Sequence, residues 1–500
     1  MTAHAHARTD AGPDARTDPA TGAPGGDPDA GAPGGDPDAG APGGGPRTGA
    51  PGGGPRAGAP GGGPRAGAPG GGPRAGAPGG ARAARRISPN LALDQVVAER
   101  QARGERITHL GFGESRLPVF PPLAERLAAG ASRNAYGPVA GDPGVRAAVA
   151  GYFARRGLET DPAQVIVAPG SKALLLALQL VEHGDVFLPA PCWVTYQPQA
   201  TLAGKRAFGV PVPAHCGGVP EPGALRTAVR AARAAGHHPR LVVLTLPDNP
   251  TGTLAPPRTV REVCAVAEEE DLLVVSDEIY RDILHASAPP FLSPAEVVPE
   301  RTIVVTGLSK SLALGGWRIG VARFPAGPAG ELLCADVASV ASEVWSTLAG
   351  PMQAVAEYAF AEPPELLERL RRDAHLHGAV AGAVHDIVIA AGAECRPPTG
   401  GFYVYPDFGP VRDRLAGKGI VDGESLQRHL IEESGIAVLA GVHFGDAPDA
   451  LRFRAATSML YGRTRDEQRA AQEAEKPLEL PHIADSLAAI RRGFTALTAG

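Results

Sequence analysis

The sequence predicts an α/β fold: a mostly parallel sheet forms a large domain, and a smaller α+β domain accompanies it. Three observations carry this. Beyond Arg86, short apolar runs alternate with stretches of helical periodicity. Several runs end in Gly-, Pro- or Asp-bearing turns, the places where α/β sheets bind ligands. Finally, roughly 415 of the 500 residues lie past the first 86, enough for one large core and one small one.

The first 86 residues read differently. From Gly22 to Ala75 a nine-residue unit recurs six times, as GAPGGDPDA, GAPGGGPRT or GAPGGGPRA. Glycine does not fall at every third place, which excludes a collagen helix. Little larger than Ala or Pro is available for burial, so residues 1–86 are expected to form a disordered tail. Beside a plain disordered tail stand two sharper readings: a partner-binding arm, or an upstream start codon that the cell does not use.

In the remainder, Leu91–Arg103 has helical spacing and Ile107–Gly111 reads as a short strand. The runs Gln164–Ala168, Asp185–Leu188, Arg206–Val212, Leu241–Leu246, Leu272–Ser276 and Thr302–Thr306 read as buried strands. Helices at Lys172–Glu182 and Thr259–Glu270 separate some of them. Alternation of this kind implies parallel strands covered on both faces. Leu460–Pro481 is polar and reads as an insertion before a last helix from His482.

Composition excludes several functions. A formal charge of -5 and a pI near 6.3 offer no basic footprint for nucleic acid. No run of 18 apolar residues could span a membrane. The pair Arg85-Arg86 has no apolar core behind it, so it is not a twin-arginine signal. Five dispersed cysteines, none in a C-x-x-C pair, point to a reducing cytoplasm. No metal is expected.

The chemistry concentrates after the strands. In Gly307-Leu308-Ser309-Lys310-Ser311-Leu312-Ala313-Leu314-Gly315-Gly316-Trp317-Arg318 a lysine directly follows a strand end. A desolvated amine there has a depressed pKa and condenses with an aldehyde. Ser309 and Arg318 supply a hydroxyl and a planar guanidinium, which suit a phosphate dianion. Asp277-Glu278-Ile279-Tyr280 follows another strand, where the acid could simply cap a helix. Asp248-Asn249-Pro250-Thr251-Gly252 is good turn chemistry in any protein. Pro169-Gly170-Ser171-Lys172 opens a helix, where freed backbone N–H groups attract an anion. Pro191-Cys192-Trp193-Val194-Thr195-Tyr196 places one of three tryptophans at a strand end.

Taken together, these motifs resemble class I and II aminotransferases over about Ile87 to Ser458. The resemblance implies fold type I with pyridoxal 5'-phosphate as a Schiff base on Lys310. It assigns Asp277 to the pyridine nitrogen, and Tyr280 and Asn249 to the 3'-oxygen. Trp193 stacks on the ring, while Gly170, Ser171, Lys172, Ser309 and Arg318 hold the phosphate. Tyr136, with Gly141 and Arg146, matches a block whose tyrosine reaches the neighbour's phosphate, so a homodimer with shared active sites is expected. Catalysis is assigned to Lys310, Asp277 and Tyr280.

For the substrate, the resemblance brings Gly113, Trp193 and Asn249 into contact. It also implies an arginine on the α-carboxylate, and the Ala456-Thr457-Ser458 ending favours Arg452. On a strand Arg452 and Arg454 share a face, so residue type alone does not choose between them. The implied domains are 135–340 (large, cofactor-binding) and 87–134 with 341–500 (small). The implied activity moves an amino group between an L-amino acid and a 2-oxo acid. Alternatives on the same scaffold are a β-lyase or related synthase, and, from another class, a transcription regulator that senses the cofactor.

Overall fold

The computed structural model describes residues 88–499, so the repeat expected to form a tail lies outside the described residues. Seven strands build the main sheet: β1 Val165–Ala168, β2 Asp185–Ala190, β3 Ala207–Pro211, β4 Pro239–Thr245, β5 Leu273–Asp277, β6 Thr302–Gly307 and β7 Gly320–Arg323. Their spatial order is β1-β7-β6-β5-β4-β2-β3. Neighbours from β6 through β5, β4 and β2 to β3 run parallel. Strand β7 runs antiparallel to both β1 and β6. The sheet is thus mostly parallel, as expected. The six strands read from the sequence are all present, with ends shifted by one or two residues, and β7 is the one the hydrophobic pattern missed. Four residues after a glycine-rich turn are too short a run to stand out.

Alternate side chains of these strands enter different cores, following the period of two along a strand. Val242, Leu244 and Val274 pack on Leu225 and Val229 of helix Pro222–Ala234 and on Val260 and Val263 of helix Pro257–Glu269. Leu241, Val243 and Val275 pack on Leu174 and Leu178 of helix Ser171–Val181 and on Val337 of helix Pro328–Val344. Both faces are covered, which is why the strands read as unbroken apolar runs.

The rest of the chain departs from the boundaries expected at 134 and 341. Leu123 of helix Pro121–Ala129 and Val355 of helix Gly350–Ala361 join Val145 and Val149 of helix Pro143–Ala154, in the core beneath β1 and β7. These segments pack with the large sheet rather than with a small domain. Periodicity shows that a helix has an apolar face, not which core receives it. The second core gathers around helix Pro364–Ala390 and the final helix Pro481–Thr498. It includes a three-stranded antiparallel sheet of β8 Tyr403–Val404, β9 Leu439–Ala440 and β10 Phe453–Ala456, with β10 central.

The polar stretch expected to be an insertion is built into this second core. Thr464 caps helix Arg465–Glu473 in a reciprocal capping box, and Ala471 is buried. Gln472 donates to Asp373 Oδ1 at 2.5 Å, while Asp373 Oδ2 accepts from Arg369 Nε at 2.7 Å. Arg369 and Asp373 are both buried, so deleting the acid leaves an uncompensated cation. Asp373→Ala is expected to cost about 3–5 kcal/mol of stability, read by urea denaturation. A loss below about 1 kcal/mol, the scale of an exposed pair, would mean that this network does not hold the two helices together.

Candidate active site

The site forms where β1, β4, β5 and β6 end. Asp277 is the last residue of β5, and its neighbour in register on β4 is Thr245. Strand β6 ends at Gly307, and one helical turn, Leu308–Ser311, brings Lys310 over the sheet edge. After β1 the chain turns through Gly170 into helix Ser171–Val181. Gly170 has φ 91°, and a Cβ there would strike the Arg318 guanidinium. A Cβ on Gly320 would strike the backbone of Gly170 and Ser171. These two glycines let a helix N-terminus, a serine and an arginine converge, which makes an anion cradle.

A cavity of about 470 Å³ opens here. Ten of the expected site residues line it: Gly113, Ser171, Lys172, Trp193, Asn249, Asp277, Tyr280, Ser309, Lys310 and Arg318. Gly170 lies behind Arg318. Two expected residues are elsewhere. Tyr136 is 90% exposed, away from the cavity of its own chain.

Arg452 is the other, and it does not line this cavity. Its side chain is 41% exposed and bonds Asp407 Oδ2 at 2.7 Å and Asp446 Oδ1 at 3.2 Å. Arg454 instead faces the cavity and is only 1% exposed. It lies 4.9 Å from the ring centres of both Tyr403 and Phe444. Its Nη1 donates to Asn249 Oδ1 at 3.1 Å, and its Nη2 donates to Asn90 Oδ1 at 3.0 Å and to Gly111 O at 2.8 Å. The two arginines have the same chemistry and the same strand parity. Arg452 precedes β10 and meets two carboxylates, whereas Arg454 is inside β10 beneath the cavity.

Around Asp277 the partners are hydrogen-bond donors. Tyr196 donates to Oδ2 at 2.8 Å and shares a 2.7 Å hydrogen bond with Thr245, while the Ile279 N–H reaches Oδ1 at 3.3 Å. Burial pushes this carboxyl up to about 6 and the Tyr196 bond opposes the shift, so the group is charged at neutral pH. Burial, with the Arg454 cation second, pulls the Lys310 amine down to about 8. Its Nζ donates to Gly113 O at 2.5 Å. Lys172 is lowered by burial and by Arg318, and its Nζ sits 5.1 Å from the Trp193 ring centre.

Tyr280 and Tyr403 share a hydrogen bond of 2.6 Å, and Asn249 Nδ2 donates to Tyr280 at 3.4 Å. Asp248 is buried beside Asn249, where its Oδ2 accepts from Thr251 N at 3.1 Å and Thr251 Oγ1 at 2.5 Å. It locks the turn that presents Asn249.

Sequence reasoning missed Tyr403, Asn90 and the partnership of Tyr196 with Asp277, and it favoured Arg452 over Arg454. A signal was available for Tyr403. Gly400-Gly401 precedes Phe402-Tyr403 as a close backbone approach would require. Nothing near Asn90 marks it.

The donor set suits a small molecule with an aldehyde, an anionic group and an aromatic base. Lys310, Arg318 and Arg454 spend their hydrogen bonds on neutral oxygens, leaving positive charge for ligand anions. The buried carboxylate of Asp277 suits a protonated ring nitrogen, and Trp193 suits a flat ring. These residues fit pyridoxal 5'-phosphate.

Comparison with known proteins agrees with this geometry. The family described as Aminotransferase class I and II matches residues 105–459. An aspartate aminotransferase of Geobacillus stearothermophilus is 32% identical over 74% of this chain and 92% of its own. An aspartate/prephenate aminotransferase of Thermus thermophilus is 32% identical over 71% of this chain and 89% of its own. Among solved structures, the aspartate aminotransferase from Thermus thermophilus with maleate aligns with a TM-score of 0.68 at 26% identity. That alignment covers 82% of this chain and 97% of the other.

Proposed function

The chain belongs to the class I and II aminotransferases, and from that premise we propose that Lys310 carries pyridoxal 5'-phosphate while Arg454 holds the substrate α-carboxylate. Members of this family move an amino group between an amino acid and a 2-oxo acid, and this chain is such an enzyme. The observation that carries the residue assignment is a single cavity. Lys310, the Asp277 carboxylate and two guanidinia without an acidic partner among the described residues, Arg318 and Arg454, all face it.

The cofactor supplies an aldehyde carbon for the amino group and an electron-withdrawing ring. The chain's own residues do the rest. Asp277 keeps a proton at the ring nitrogen, and its charge at neutral pH serves that task. Tyr280 and Asn249 bond the ring oxygen, while Trp193 covers a face of the ring. Ser171, Ser309, Arg318 and the helix N-terminus at Gly170 hold the phosphate, with Lys172 adding charge. Lys310, with a pKa near that of the medium, moves the proton at the substrate Cα as base and then acid. Arg454, fixed by Asn249 and the Tyr403 ring, orients the carboxylate so that this proton faces Lys310. Gly113 O accepts from Lys310.

The same proposal includes a homodimer, supported by the 90% exposure of Tyr136, which its own cavity does not use. It also includes a reducing, cytoplasmic setting, supported by five cysteines without disulfide partners. Because relatives are named for aspartate, donor and acceptor screens begin with aspartate and 2-oxoglutarate and then turn to aromatic donors.

The test is covalent capture. Purified enzyme is expected to show a visible cofactor band that borohydride bleaches, with the reduced label on the peptide containing Lys310. Reloading of stripped enzyme should accelerate as pH rises toward about 8, because only the neutral amine is nucleophilic. Label on another lysine, or borohydride capture that survives Lys310→Ala, would sink the assignment.

A further inference from the structure

Resting on Arg454 as the carboxylate site, we infer that Asn90 is a positioning residue that occupies the guanidinium edge the substrate must take. Binding then exchanges Asn90 for the carboxylate and releases the first turn of helix Pro89–Ala102.

A guanidinium grips a carboxylate with two parallel bonds along one of two edges, Nη1 with Nη2 or Nε with Nη2. The third edge is closed by the side chain's own Cδ. Both productive edges therefore need a hydrogen on Nη2. In this structure both Nη2 hydrogens are taken, one by Asn90 Oδ1 at 3.0 Å and one by Gly111 O at 2.8 Å. Among the described residues Nε has no partner, and it is shut away from solvent. Arg454 thus has a spare donor but no free fork.

One of the two acceptors must leave, and the structure decides which. Gly111 is a backbone carbonyl in a fixed segment. The preceding Leu110 donates to Ala437 O at 2.8 Å, and Leu110 O accepts from Ala456 N at 2.6 Å. Asn90 is a side chain in the first turn of a helix whose N-cap, Ser88, makes no side-chain capping bond. Both Ser88 and Asn90 line the mouth of the cavity. A rotatable amide on a weakly anchored turn yields before a carbonyl inside paired backbone. Until then the Asn90 oxygen stands where a carboxylate oxygen belongs and keeps Arg454 aimed.

The proposal predicts an uncommon sign: removing a residue from the binding site should tighten binding. With holoenzyme and propionate as probe, Asn90→Ala is expected to bind about tenfold more tightly, because no internal acceptor competes. Asn90→Asp places a charged competitor on Arg454 and should weaken binding by about tenfold or more. Propionate should also speed amide exchange of residues 88–93 in the native enzyme and leave that segment of Asn90→Ala unaltered.

Weaker propionate binding by Asn90→Ala would make Asn90 a direct ligand, and unchanged affinity would make it a bystander; either overturns the inference. So does exchange in the native enzyme that ignores propionate. Arg454→Ala separates this idea from its foundation. If that variant binds propionate as the native enzyme does, the carboxylate assignment itself fails. If it loses binding while both Asn90 variants match the native enzyme, only the gate fails.

Discussion

Asp277→Ala is expected to lower kcat for transamination by about 10³-fold or more while the enzyme keeps its cofactor. The carboxylate is buried at the end of β5, and its charge is kept by bonds from Tyr196 and Ile279. Burial raises its pKa and the Tyr196 and Ile279 bonds oppose the shift, leaving it at about 6, so it would meet the ring nitrogen as an anion. A charge-assisted hydrogen bond of this kind is worth about 1.5–3 kcal/mol in binding, and Lys310 and the phosphate cradle remain to hold the cofactor. The catalytic loss exceeds that figure because ring charge matters most when the Cα proton has left. A thousandfold corresponds to about 4 kcal/mol of barrier. Asp277→Asn, which keeps shape and loses charge, should be nearly as slow. Single-turnover kinetics with the visible band as reporter is the measurement, and activity within tenfold of the native enzyme would refute the role.

The second large effect separates two arginines. Arg454→Lys is expected to raise KM by about 100-fold for every amino acid and 2-oxo acid alike, since a lysine cannot supply a two-pronged grip. Its pocket between Tyr403 and Phe444 also suits a flat cation. Arg452→Lys should change KM by less than about threefold, the scale of an exposed ion pair, because its partners are Asp407 and Asp446. The comparison uses two chemically unlike amino acids with their oxo acids. A uniform loss in Arg452→Lys with none in Arg454→Lys would restore the register that the Ala456-Thr457-Ser458 ending favours.

Those arginines mark the limit of what the chain discloses in one dimension. Six strands of the main sheet were legible because a strand buried on both faces must be continuously apolar, and length plus flanking turns then separates it from a helix. Lys310, Asp277, Asn249 and Arg318 were legible because their motifs together resemble those of class I and II aminotransferases. The fold gives the reason that they meet: in a parallel sheet the turns after the strands converge on one place.

The remainder was decided in three dimensions. Strand β7 is too short to declare itself, and helices Pro121–Ala129 and Gly350–Ala361 show an apolar stripe but not the core it enters. The stretch around Gln472 looks dispensable until its amide meets the buried Asp373. Arg452 and Arg454 differ by neither residue type nor strand parity. What tells them apart is that one meets two carboxylates and the other an asparagine, two rings and a cavity. Sequence alone determined which chemical groups are present and which strand ends carry them, because local patterning follows from burial and backbone geometry. Only the tertiary structure determined which cation is left without a counter-ion, because neutralisation depends on neighbours that are remote in sequence.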